Sequence, residues 1–201
     1  MIPGQPDEPE PNFFDFSDEG LQNHSAMSKR IPQLQPPDSM HLSAAEGWLG
    51  LGNIFEANAE LEQITAELRA HPDVLEVRWQ IYAKQKQWDA CVDIARAITK
   101  LAPSHSKGWI HLAYSTRMAK NGGLEAAVCI LAPLVNDFPK NPLICYYLSC
   151  YTAQLDRLME STQWWDKAMT IAGATGQLNK IRLMALDDPD LVPLLKGIGK
   201  A

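Results

Sequence analysis

The sequence predicts an all-α chain of consecutive helix pairs, and three observations predict it. Prolines recur at Pro72, Pro103 and Pro139, with Gly173 at the next expected place, in steps of 31, 36 and 34 residues. Apolar residues inside these units recur at helical rather than strand spacing. No run of alternating β-branched residues is long enough for a sheet. A period in this range marks stacked supersecondary units, each unable to hide its apolar face alone.

The chain has 201 residues, 46% hydrophobic and 21% charged, enough to bury a core. Residues 1–38 hold seven acids against Lys29 and Arg30, which leaves −5 of the formal −6, and seven of the 14 prolines. Such a segment buries too little apolar surface to offset chain entropy, so 1–38 is expected to be a disordered acidic tail. Within it, Asn12-Phe-Phe-Asp-Phe-Ser-Asp reads either as a docking motif that folds on binding or as a chance cluster. Met27 and Met40 offer later in-frame starts. The N-terminus lacks the basic and apolar regions of a secretory signal, and no apolar run approaches about 20 residues. The expectation is a cytoplasmic chain without membrane insertion. Four cysteines with no CxxC pair fit reduced thiols.

Four helix pairs are expected, at about 41–72, 73–105, 106–140 and 141–173. Gly52-Asn53 supplies the turn of the first. In the second, Asp73 follows Pro72 as a plausible N-cap, with Glu76 completing a capping box. Its second helix, Trp88 to Leu101, places Cys91, Ile94, Ala95, Ile98 and Leu101 on one stripe. Gly122-Gly123 turns the third pair, and Pro133 should kink its second helix, having no N–H for the carbonyl of Cys129. Asn141-Pro142 opens the fourth as N-cap and N1 proline. After Gly173, Gln177–Leu186 reads as one more amphipathic helix. Asp188 then caps a short helix with Pro189 at N1. Residues 174–201 are thus expected to be capping helices that close the last open face.

Numbering each unit backward from its proline as position 32 puts Trp48 and Trp79 both at 8, and Tyr82, Trp88, Cys91 and Ala95 at 11, 17, 20 and 24. The third unit, with a two-residue insertion at Asn121-Gly122-Gly123, gives Trp109, Leu112 and Ala113 at 4, 7 and 8. The fourth gives Leu148, Ser149, Trp165 and Ala168 at 7, 8, 24 and 27. On these residues the chain from about 40 to 173 resembles the tetratricopeptide repeat (TPR) family. Trp48 and Trp79 depart from its pattern, standing where a small residue is usual, and the first unit matches least. The run Ala-Leu-Asp-Asp-Pro-Asp-Leu looks like the closing segment of many bacterial TPR arrays. The resemblance implies a right-handed α-α superhelix (a solenoid of about four helix pairs) whose concave groove, lined by first helices, holds a peptide or a partner helix. The family's groove positions fall on Glu76, Gln80 and Ala83, on Lys107, Ile110, Tyr114 and Arg117, and on Tyr146, Cys150 and Ala153. Of the clamp with which some members grip a chaperone's C-terminal carboxylate, only Lys107 matches, and His111 stands at another of its positions.

Chemistry finds little footing. The five histidines do not cluster, no HExxH or zinc-type cysteine spacing occurs, and there is no nucleophile elbow, phosphate loop or Rossmann glycine pattern. Cys145 and Cys150, five residues apart, lie on different sides of one helix. The body beyond residue 38 is almost neutral and offers no basic stripe for nucleic acid. The expected function is therefore a non-catalytic scaffold or adaptor that binds another protein's segment and uses no cofactor or metal. The alternative is a small TPR-type secretion chaperone shielding a hydrophobic client. An enzyme would need an unrecognised site at Cys145, Cys150 or His111, and self-association through the weak first unit also stays open.

Overall fold

The computed structural model describes residues 31–194. Over these the chain is all-α, as expected: nine α-helices and three 3-10 turns, with no strand among the described residues. They fall into two compact units, one within Met27–Phe138 and the other within Pro139–Ala201.

The first unit contains α1 (Asp38–Gly50), α2 (Ile54–Gln63), α3 (Pro72–Lys84), α4 (Trp88–Leu101), α5 (Ser106–Met118) and α6 (Leu124–Leu131). Neighbours in sequence pack together, α1 on α2, α3 on α4, α4 on α5 and α5 on α6. One apolar cluster joins Ala45 and Leu49 of α1, Ala57 and Leu61 of α2, Ile64, and Val74, Val77 and Ile81 of α3. Leu34 belongs to it as well. The expected disordered tail therefore reaches too far at its inner end. Beside Leu34, the Pro32 carbonyl accepts from His71 Nε2 (2.8 Å). Asp38 opens α1 and accepts from the Thr65 N–H (2.6 Å) and hydroxyl (3.2 Å). A single leucine and two polar anchors suffice to order the stretch that its prolines disguise. Residues 1–30, the Phe-rich patch among them, lie outside the described residues.

The cap of α3 also differs from expectation. His71, not Asp73, is the N-cap: its Nδ1 accepts from the Asp73 N–H at 3.3 Å, and Pro72 takes N1. An imidazole acceptor serves the orphan amide, while proline needs no partner there. At Pro133 the expected kink is a termination. α6 stops at Leu131 and a 3-10 turn, Ala132–Val135, carries the chain on, because proline deletes the hydrogen bond that would continue the α-ladder.

The second unit contains α7 (Pro142–Gln154), α8 (Leu158–Ala174), α9 (Leu178–Leu186) and the 3-10 turn Pro189–Leu191. Asn141 caps α7, its side-chain oxygen accepting from the Leu143 N–H at 2.9 Å. Every residue from Ile144 to Ala153 is buried, so α7 is a central helix rather than an amphipathic one. Small residues set its approach to α8: the hydroxyls of Ser149 and Ser161 donate to each other's carbonyls at 3.0 and 2.8 Å. α7 also packs against the 189–191 turn.

The repeat shows most plainly in a turn that the periodic positions did not single out. Positive φ occurs at Gly52 (80°), Lys86 (55°), Asp156 (58°) and Gly176 (74°). Residues 52 and 86 are 34 apart, and 86 and 156 are 70 apart, two periods of 35. In each case the following N–H reaches back five residues: Asn53 to Trp48, Gln87 to Tyr82, Arg157 to Thr152 and Gln177 to Ala172, at 2.8 to 3.0 Å. This is the Schellman closure, which here ends the first helices α1, α3 and α7 and also the second helix α8, and it favours glycine at the left-handed residue. The third pair replaces it with Asn121-Gly122-Gly123, where a Cβ on Gly122 would stand 1.7 Å from the Thr116 carbonyl oxygen. Lys86 and Asp156 hold the left-handed conformation at a cost of about 1 kcal/mol each. Lys86→Gly and Asp156→Gly are each expected to raise stability by up to about 1 kcal/mol, read as a higher urea midpoint. A lower midpoint would show that the side chain's own contacts outweigh its strain.

Candidate functional site

On the first unit, α3 and α5 bring three of the expected groove residues together. Glu76 Oε1 accepts from Gln80 Nε2 (3.2 Å), Lys107 Nζ (2.9 Å) and His111 Nε2 (2.7 Å). The Glu76 side chain is only 16% exposed and that of His111 3%. Burial pushes the Glu76 carboxyl up, but the charges and hydrogen bonds of His111 and Lys107 outweigh it and hold it down at about 2. A carboxylate held ionised only accepts, so Nε2 of His111 carries the proton, while its Nδ1 is buried with no hydrogen-bond partner. The His111 ring stacks on Trp79, with centroids 3.8 Å apart and planes 19° from parallel. Trp79 meets Tyr114 edge-on at 6.4 Å, and Tyr114 meets Trp88 edge-on at 5.5 Å. These rings tie α3, α4 and α5 together.

Two expectations for this unit need correction. Ile110 and Tyr114 are buried, not presented to a partner. Tyr114 is drawn in by the two indoles of Trp79 and Trp88. Gln80, Ala83, Lys107 and Arg117 stay partly exposed, and of these Gln80 and Lys107 are engaged with Glu76.

In the second unit, Tyr146, Cys150 and Gln154 fall at i, i+4 and i+8 along one stripe of α7. The chain itself covers that stripe. The Tyr146 hydroxyl donates to Asp188 Oδ2 at 2.6 Å and the Cys150 thiol lies 3.5 Å from the same oxygen. Gln154 Nε2 donates to the Asp190 carbonyl at 3.0 Å. The other Asp188 oxygen accepts from the Asp190 N–H at 2.9 Å and caps the 189–191 turn. Leu191 and Leu194 are buried. Burial above all, with Cys150 and Asp188 adding to it, raises the Tyr146 phenol far above its ordinary range, so it acts as a donor. Tyr146, Cys150 and Ala153, expected to line an open groove, are thus buried, and the first two are held by residues about forty positions later. Asp188 was legible as an N-cap only. Nothing local in the sequence says that its second oxygen serves α7.

Two of the four cysteines are shifted away from reactivity. Burial pushes Cys91 up to about 12, and Cys145 is raised by the same cause, the opposite of an activated thiol. Among the described residues no group of three or more His, Cys, Asp or Glu side chains is placed to hold a metal ion. No helix among them is long and apolar enough to cross a membrane. No family model matches the chain, and no curated protein matches it in sequence.

Proposed function

We propose that this chain is a non-catalytic adaptor of the TPR kind, acting in the cytoplasm, which holds a segment of another protein on the faces of its first helices. One observation carries the reading: α7, a first helix, already holds a short acidic segment by side-chain donors at i, i+4 and i+8. A face that grips a peptide in cis has the donors and the apolar wells that peptide recognition needs. The left-handed turns that end α1, α3 and α7, at residues 52, 86 and 156, stand 34 and 70 residues apart, and that spacing supports the family resemblance.

A site-specific photo-crosslinker separates this reading from a chance surface. Placed at Gln80 on α3, it is expected to capture a partner that the same group placed at Asp93, on the exposed side of α4, does not. Capture from position 93 and not from 80 would move binding off the first helices and remove the proposal.

A further inference from the structure

The segment that closes the second unit is built as a ligand rather than as a plain apolar cap. A plain cap needs only greasy cover. Here Asp188 and Asp190 present a carboxylate and a carbonyl to three side-chain donors spaced along α7, and Leu191 enters the apolar interior beneath them. The segment is short. It is a 3-10 turn of three residues, capped by its own Asp188, that runs on into helical residues 192–194, and Asp187 with Leu186 before it is exposed. Short terminal elements of this sort open at far lower cost than the whole fold.

We propose that residues 187–194 are a built-in ligand for α7 and that an outside protein segment of the same chemistry displaces them. Such a segment carries a side-chain carboxylate and, three residues on, a leucine. The carboxylate takes the Tyr146 hydroxyl and the Cys150 thiol from Asp188, and the leucine takes the place of Leu191. The inference rests on the adaptor reading and names the partner's chemistry: an acidic turn followed by an apolar anchor. The internal copy then sets a threshold, since an outside segment must compete with one tethered at high effective concentration.

The test uses full-length chains and a fluorescein-labelled peptide with the sequence of residues 185–194, followed by anisotropy. Asp188→Ala/Leu191→Ala, which weakens the internal copy and leaves the α7 face intact, is expected to bind the peptide at least 10-fold more tightly than the unaltered chain. A peptide carrying the same two alanines is expected not to bind. Equal affinity of the two chains, or no binding by either, overturns the proposal. Should the double variant lose its helical dichroism, thiol labelling of the unaltered chain decides. Cys150 and Cys145 are both 1% exposed, but only Cys150 lies under the segment. Labelling of Cys150 at least 10-fold faster than Cys145 supports local opening; labelling of both together overturns it. Peptide binding of the expected pattern with a negative crosslink at Gln80 would remove the adaptor reading for α3 alone. A positive crosslink with no peptide binding would remove the built-in ligand alone.

Discussion

Replacing Trp79 with alanine is expected to cost the first unit about 3–5 kcal/mol, the range for losing a fully buried large aromatic. Trp79 is 1% exposed and is the largest fully buried side chain among the described residues. Its removal does more than open a cavity. The His111 ring loses the face it stacks on at 3.8 Å, and Tyr114 loses one of its two edge-on neighbours. Each such pair contributes about 0.5–1.5 kcal/mol beyond its buried area. A domain stable by about 5–15 kcal/mol has little reserve against a loss of this size. The check is chemical denaturation followed by near-ultraviolet dichroism, with amide exchange in α3 and α5. Those amides are expected to exchange about 100-fold faster or more. Trp79→Phe keeps a ring against His111 and should lose less than half as much. A loss under about 1 kcal/mol for the alanine variant would mean that the indole fills space without tying the helices together.

The same tryptophan shows how far sequence reasoning carries. Its position was legible as a departure, a large residue where the repeat pattern calls for a small one. Its partners were not, because a stack on His111 depends on how α5 crosses α3, which no local spacing records. Helices were legible wherever apolar periodicity and punctuation agreed. α4 runs from Trp88 to Leu101 in the structure as in the sequence, and Asn141-Pro142 opens α7. Punctuation misled where a residue does unusual work. Lys86 and Asp156 adopt the left-handed turn without glycine's signal, and His71 caps a helix with a ring nitrogen. Of the expected groove residues, Tyr146 and Cys150 were misread for a different reason. Family positions say which side of a helix a residue occupies, and the chain's own later segment decides whether that side is open. Asp188 reaches Tyr146 and Cys150 across 42 and 38 residues, a distance at which a sequence carries no pattern for one carboxylate.

The second large effect concerns charge rather than volume. Glu76→Gln is expected to destabilise the first unit by about 2–3 kcal/mol at pH 7, and the difference is expected to shrink toward zero as the pH falls to about 2. The Glu76 carboxyl is depressed from an ordinary 4.5 to about 2, which corresponds to about 3 kcal/mol of preference for the ionised form in the folded chain. A depressed carboxyl contributes its stability above its unfolded pKa and loses it as the pH falls through the folded one. The window is therefore about pH 4.5 down to 2. Glutamine keeps an oxygen that accepts from His111 or Lys107, so part of the hydrogen bonding survives and the loss stays below the full figure. Other carboxyls titrate nearby: Asp38 is lowered by its bonds from Thr65, and Glu46 is raised by burial. Both remain in the variant, so the difference between the two chains, not the slope of either, isolates Glu76. Urea denaturation at pH 7, 4.5, 3 and 2.5 gives that difference directly. A gap that stays constant across the series would mean that the side chain acts through shape and neutral hydrogen bonds. The three donors converging on Oε1 would then be holding a geometry, not a charge.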